Sequence, residues 1–146
     1  EMGWYEHRSA KYPNEQREKY TQRLFAHTGA LSLLILDIGW CGGLTEARRC
    51  AALAGAYLTP VAAHDCNGPV VLSASVHFCQ ATPNAYVQEI VRAFYYGWYA
   101  EIVTELPPIV DGAISAPEGP GLGMELLPDF KVRESTLSRT TRYQMT

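Results

Sequence analysis

Asp37, His64 and Glu89 each close a short apolar run, and they follow one another at intervals of 27 and 25 residues. These are the residue types of proton transfer. Imidazole titrates near neutrality, and a carboxylate bonded to one ring nitrogen fixes the tautomer and raises the basicity of the other. Taken singly, each residue has an ordinary explanation: an Asp after a strand is usually a turn residue, a lone His is more often structural than catalytic, and a Glu at a strand end is often solvated. One interval shared by all three points instead to side chains delivered to one place by a repeated structural unit.

That unit can be followed along the chain. Leu31–Leu36 is an almost continuous apolar run, as expected of a strand buried on both faces of a parallel sheet. Gly42-Gly43 then turns the chain, Thr45 is the expected cap, and Ala47, Cys50, Ala51 and Ala54 fall at i, i+3, i+4 and i+7 of a helix reaching about Tyr57. Thr59–Ala63 is a second short strand, opened by Pro60 and ended by His64. Asn67-Gly68-Pro69 marks a turn with proline at the first helical position. Val71, Ala74, Ser75 and Phe78 carry the helix that follows, and Thr82-Pro83 breaks it. Ala85–Gln88 is the third strand, ended by Glu89. Upstream, Tyr20, Leu24 and Phe25 predict a helix over residues 15–28, with Gly29 as its carboxyl cap.

Strands alternating with helices at about 25 residues per unit predict an α/β fold, either a (β/α) barrel or a doubly wound sheet. In both, ligands sit at the carboxyl ends of the strands, where Asp37, His64 and Glu89 fall. Neighbouring strands lie about 4.8 Å apart, so Asp37 and His64 can stand side by side. Three units cannot close an eight-stranded barrel, which typically takes about 250 residues, so the chain is expected to be the carboxyl-terminal part of one. Beyond Glu89 the period is lost. VRAFYYGWYAEI is aromatic, IVDGAISAPEGPGLGMELL reads as short extended pieces between Gly and Pro turns, and Lys131–Thr146 is polar without periodicity.

Composition narrows the function. With 146 residues, 47% of them hydrophobic and 18% charged, the chain has globular composition. A net charge of −3 leaves no basic footprint for nucleic acid or an acidic membrane surface, so the expected partner is a small molecule or a protein. Four cysteines at intervals of 9, 16 and 13 match neither a CxxC zinc pattern nor a dense disulfide framework, and predict reduced thiols in a cytoplasmic protein. The apolar run Ala30–Trp40, interrupted by Ser32 and Asp37, is too short to span a membrane. GWCGG lacks the GxGxxG order, and PEGPGLG lacks a strand-to-helix context, so neither predicts phosphate binding.

The stretches DIGWCGGLTEARRCAALAGAYLTPVAAHDCNGP, ATPNAYVQE and PEGPGLG resemble the carboxyl-terminal barrel part of the enolase superfamily. The resemblance is to the mandelate racemase and muconate lactonizing branch, most closely to acid-sugar dehydratases of the galactonate dehydratase type. It runs from about Leu33 to Leu127. It implies a partial TIM-like, modified (β/α)7β barrel domain over residues 1–130 and a polar tail over 131–146. It also implies a lyase that removes the proton α to a carboxylate of a sugar acid and then eliminates water. His64 would be the base, Asp37 its orienting partner and Glu89 the residue that hydrogen-bonds the substrate carboxylate as an enediolate forms. That chemistry uses Mg2+ to hold the developing charge.

The chain also departs from that pattern. Asn14, 23 residues before Asp37, falls where the resemblance places a metal ligand, usually a glutamate; its carbonyl oxygen suits Mg2+ but removes a charge, and Glu15 is the alternative. The other metal ligands, the opposing lysine base and the capping domain have no counterpart in the chain. Alone it is therefore expected to be a fragment without turnover, its full-length form a homo-oligomer. A racemase or epimerase, or a degenerate binding or assembly module, are the alternative functions. Cys66 has no separate base and is expected only to line the site, and His77 to be a surface or packing residue.

Overall fold

A computed structural model describes residues 31–137. The expected helix over 15–28, and Asn14 and Glu15, lie outside the described residues. Strands β1 (Leu34–Leu36), β2 (Val61–Ala63) and β3 (Ala85–Gln88) form a parallel sheet in that order. Helices α1 (Leu44–Ala56) and α2 (Pro69–Gln80) join them. The three strands expected from the sequence, and the two helices between them, are thus present as a parallel α/β sheet.

Small side chains make the layers fit. Every residue of β2 is buried, and α1 contributes the small side chains of Ala47, Cys50, Ala51 and Ala54 to the same core. Phe78 of α2 and Leu36 of β1 complete that core. Thr45 is not the cap of α1. The cap position is Gly43, two residues earlier, and the helix follows Gly42 and Gly43 at φ 105° and 87°, left-handed values that a side chain at either position would oppose.

Beyond its carboxyl end the chain continues through Leu58, at φ 56°. Its N–H donates to Gly55 O and that of Thr59 to Ala54 O, the paired bonds that close a helix through a left-handed residue. Thr59 N is taken up by this closure, whereas Pro60 O already accepts from Leu34 N at 3.0 Å, the first bond toward β1.

α2 is buried on two sides. Phe78 and Val71 face the sheet, as the spacing predicts, while Leu72 and Val76 pack with fully buried Tyr99 in a second core. The aromatic segment supplies that second core: α3 (Arg92–Tyr95) and a 3-10 turn at Trp98–Glu101 bring Phe94, Trp98 and Tyr99 together, with the last two rings edge to face at 4.6 Å. Next comes a hairpin of β4 (Ile109–Val110) and β5 (Ala113–Ile114) around Asp111-Gly112, both at positive φ. The PEGPGLG segment returns to α2, where Leu122 O accepts from Ser73 Oγ at 3.0 Å and meets His77 Nε2 at 3.2 Å. Residues 131–137 are mostly exposed and are held by polar contacts, Arg133 donating to Glu101 O and pairing with Asp129. No helix among the described residues is long and apolar enough to cross a membrane.

One polar node ties the second core to the sheet. Buried Asp65, just beyond β2, accepts from Val91 N at 3.0 Å and from Tyr99 Oη at 2.8 Å, while Tyr99 Oη accepts from Gly68 N at 3.2 Å. Burial pushes the Asp65 carboxyl above its ordinary value despite these bonds, and burial together with Asp65 raises the Tyr99 phenol.

Two outcomes are expected. Leu58 is 94% exposed, so Leu58→Gly should relieve its backbone conformation and stabilise the chain by about 0.5–1 kcal/mol, read from the urea midpoint. The folded state holds the Asp65 proton more tightly than the unfolded chain does. Its contribution is therefore complete below the ordinary carboxylate range and declines as pH rises through the raised folded value. Urea melts across this range should show wild type losing stability relative to Asp65→Asn as pH increases; a constant difference would contradict the assignment.

Candidate active site

Parallel pairing sets Leu36 beside Ala63 and Ala63 beside Gln88, so the next residue of each strand emerges at one edge of the sheet. The ladder continues one step further: His64 N donates to Leu36 O at 2.7 Å and Glu89 N to Ala63 O at 2.9 Å. Asp37, His64 and Glu89 are thereby brought together. His64 Nδ1 lies 2.8 Å from Asp37 Oδ2, and His64 Nε2 lies 3.8 Å from Glu89 Oε2. The first is a hydrogen bond; the second is too long for one.

The neighbours of Asp37 decide the tautomer of His64. Asp37 Oδ1 accepts from Trp40 N at 3.1 Å and Oδ2 from Asn67 Nδ2 at 2.6 Å. Asn67 is itself oriented, because its Oδ1 accepts from Trp40 Nε1 at 3.1 Å and faces Cys66 Sγ at 3.7 Å. A carboxylate ringed by N–H donors offers His64 only acceptor oxygens, so Nδ1 carries the hydrogen and Nε2 the lone pair. Asp37 and His64 are largely buried, whereas the Glu89 side chain, on the Nε2 side of the ring, is half exposed at 50%.

Sequence reasoning missed Asn67, Trp40, Asp65 and Tyr99. Asn67 has the residue type of an ordinary turn, and the bond that distinguishes it spans 30 residues. Asp65 follows His64 directly, but its partners lie in the aromatic segment, which carries no periodic signal.

The ligand-type atoms of Asp37, His64 and Cys66 lie within 4.8 Å of one another. This set does not fit Mg2+, which takes hard oxygen ligands in near-octahedral order; here a thiol and an imidazole accompany one carboxylate. Asn14, the expected Mg2+ ligand, falls outside the described residues.

The thiols differ in environment. Burial pushes Cys41 up to about 12, with Cys50 and Asp37 adding to the effect, while Cys66 is exposed and raised by residual desolvation and by the charges of Asp37, Asp65 and Glu89. Under N-ethylmaleimide at neutral pH, peptide mapping should find Cys66 modified first and Cys41 and Cys50 only after denaturant is added. Equal rates at Cys41 and Cys66 would contradict this packing.

The family model for the enolase C-terminal domain-like family matches residues 16–130. The chain is 34% identical over 108 residues to a D-xylonate dehydratase of Haloferax volcanii, covering 74% of this chain and 26% of that protein. It is 34% identical over 110 residues to a D-galactonate dehydratase of Xanthomonas campestris, covering 72% and 29%. Among solved structures, an enolase of the mandelate racemase subgroup from Agrobacterium tumefaciens superposes with a TM-score of 0.70 at 50% identity, over 78% of this chain and 30% of that one. The chain thus spans between a quarter and a third of the length of these relatives.

Proposed function

Because the chain belongs to the enolase superfamily, in its mandelate racemase branch, we propose that it carries the histidine side of the active site of an acid-sugar dehydratase. Two relatives named as dehydratases of D-xylonate and D-galactonate support a sugar acid as substrate. The observation that carries the proposal is the 2.8 Å bond between His64 Nδ1 and Asp37 Oδ2, which turns the other ring nitrogen toward Glu89.

A proton α to a carboxylate is very weakly acidic, and its removal builds a second negative charge that must be held as it forms. In this proposal His64 Nε2 takes that proton while Asp37 keeps the ring in place and stabilises the imidazolium. Glu89 hydrogen-bonds the substrate carboxylate as the enediolate forms. The imidazolium then returns its proton to the departing β-hydroxyl, so water leaves and the resulting enol becomes a 2-keto acid. Mg2+ and its ligand Asn14, or Glu15, belong to the proposal through the family alone, because the described donors do not suit that ion.

The test uses the full reading frame that encodes this chain, with Mg2+ and a library of sugar acids, following 2-keto product and solvent deuterium at the α carbon. Keto product is expected, and His64→Asn should lower both signals by about 10²–10⁴-fold. The chain by itself should give neither. Exchange without keto product would replace dehydration by racemisation or epimerisation, and silence of the full-length protein would overturn the enzymatic proposal in favour of a binding module.

A further inference from the structure

Cys66 has no part in the chemistry proposed above, yet its sulfur lies 3.7 Å from His64 Nδ1, which in turn lies 2.8 Å from Asp37 Oδ2. All three ligand-type atoms fall within 4.8 Å of one another. We propose that Asp37, His64 and Cys66 bind one thiophilic divalent cation, of the class of Zn2+ or Cd2+, at the dyad itself.

The donor set is what selects the ion. Carboxylate, imidazole and thiolate together are borderline to soft, the combination Zn2+ and Cd2+ accept and Mg2+ does not. Ligands on a tetrahedral Zn2+ with bonds of about 2.0–2.3 Å stand about 3.3–3.7 Å apart. The imidazole-thiol pair already has that spacing. The Asp37 oxygen is closer than this to Nδ1 and would withdraw by about half an ångström. Cys66 is exposed, which gives the ion a path in, and Asp37, with the thiolate formed on binding, matches its charge. The three residues leave a fourth tetrahedral position to water.

Capture of the ion moves protons in a defined way. The thiol releases one proton to solvent and forms the metal-sulfur bond. Neutral imidazole can bind metal through Nδ1 only if its hydrogen shifts to Nε2, which puts an N–H where the lone pair of the base had been. The ion therefore disarms His64 without occupying the place of the substrate. The inhibitory consequence rests on the dehydratase proposal; binding of the ion does not.

Cd2+ titrated into the chain reads binding directly through the ultraviolet thiolate-to-cadmium absorption. A band that saturates at one Cd2+ per chain, withstands excess Mg2+, persists in Cys79→Ser and disappears in both Cys66→Ser and Cys66→Ala is the expected result. Absence of a saturable band, its survival in the Cys66 variants, or its displacement by Mg2+ would overturn the site. In the full-length protein, Zn2+ should abolish α-deuterium exchange, and Cys66→Ser should require at least about 10-fold more Zn2+ for the same effect. A missing cadmium band counts against the cation site, whereas absent exchange before any Zn2+ is added counts against the dehydratase proposal.

Discussion

Parallel pairing of β1 with β2, Leu36 beside Ala63, is the constraint on which the rest of this structure depends. A parallel ladder carries all strands in one direction, so the first residue past each strand arrives at the same edge. Here those residues are Asp37, His64 and Glu89. Antiparallel pairing of the same segments would have sent His64 to the opposite edge from Asp37. The pairing requires helical crossovers, and their cover determines the side chains below: a fully buried β2 of Val and Ala, and an α1 whose inward stripe is Ala and Cys.

The second constraint acts on α2. A helix apolar on one face needs one partner, whereas a helix apolar nearly all round must be enclosed. α2 is of the second kind, with the sheet on one side and the aromatic segment on the other. That enclosure explains why a segment without periodicity is nevertheless ordered: Phe94, Trp98 and Tyr99 fill the outer side of α2, and Tyr99 reaches through to Asp65 beside His64. The turn that carries His64, Asp65, Cys66 and Asn67 is thereby anchored from beneath by a buried bond and tied from above to Asp37.

Around Asp37 the same donors serve two kinds of chemistry. Three N–H groups converge on its oxygens and hold His64 in the tautomer suited to proton transfer. The sulfur of Cys66, close to the same ring nitrogen, makes that place equally suited to a soft cation. A proton taken at Nε2 and a metal ion held at Nδ1 exclude each other, because neutral imidazole has one lone pair to offer between its two nitrogens. Hard oxygen ligands, and with them Mg2+, are a separate requirement that the described residues do not meet.

The sequence by itself carried the sheet, because its signals are local: apolar runs of strand length, a small-residue stripe at helical spacing, glycines where the chain turns and a proline at the start of α2. It also carried the three polar strand ends, since their intervals repeat the length of the unit. The boundaries were less legible. Thr59 shares the run of β2 but its N–H closes α1 beside Leu58, and Tyr86 belongs to β3 yet falls at the register shift opposite Val61 and Ala62. Only the tertiary structure decided that Asn67 and Trp40 orient Asp37, that Asp65 is buried against Tyr99, and that Cys66 stands beside His64 with its sulfur toward Nδ1. The first two arrangements depend on contacts 30 and 34 residues apart. Long-range bonds of this kind leave no periodicity in the chain, since nothing local distinguishes a turn asparagine from one that holds a carboxylate.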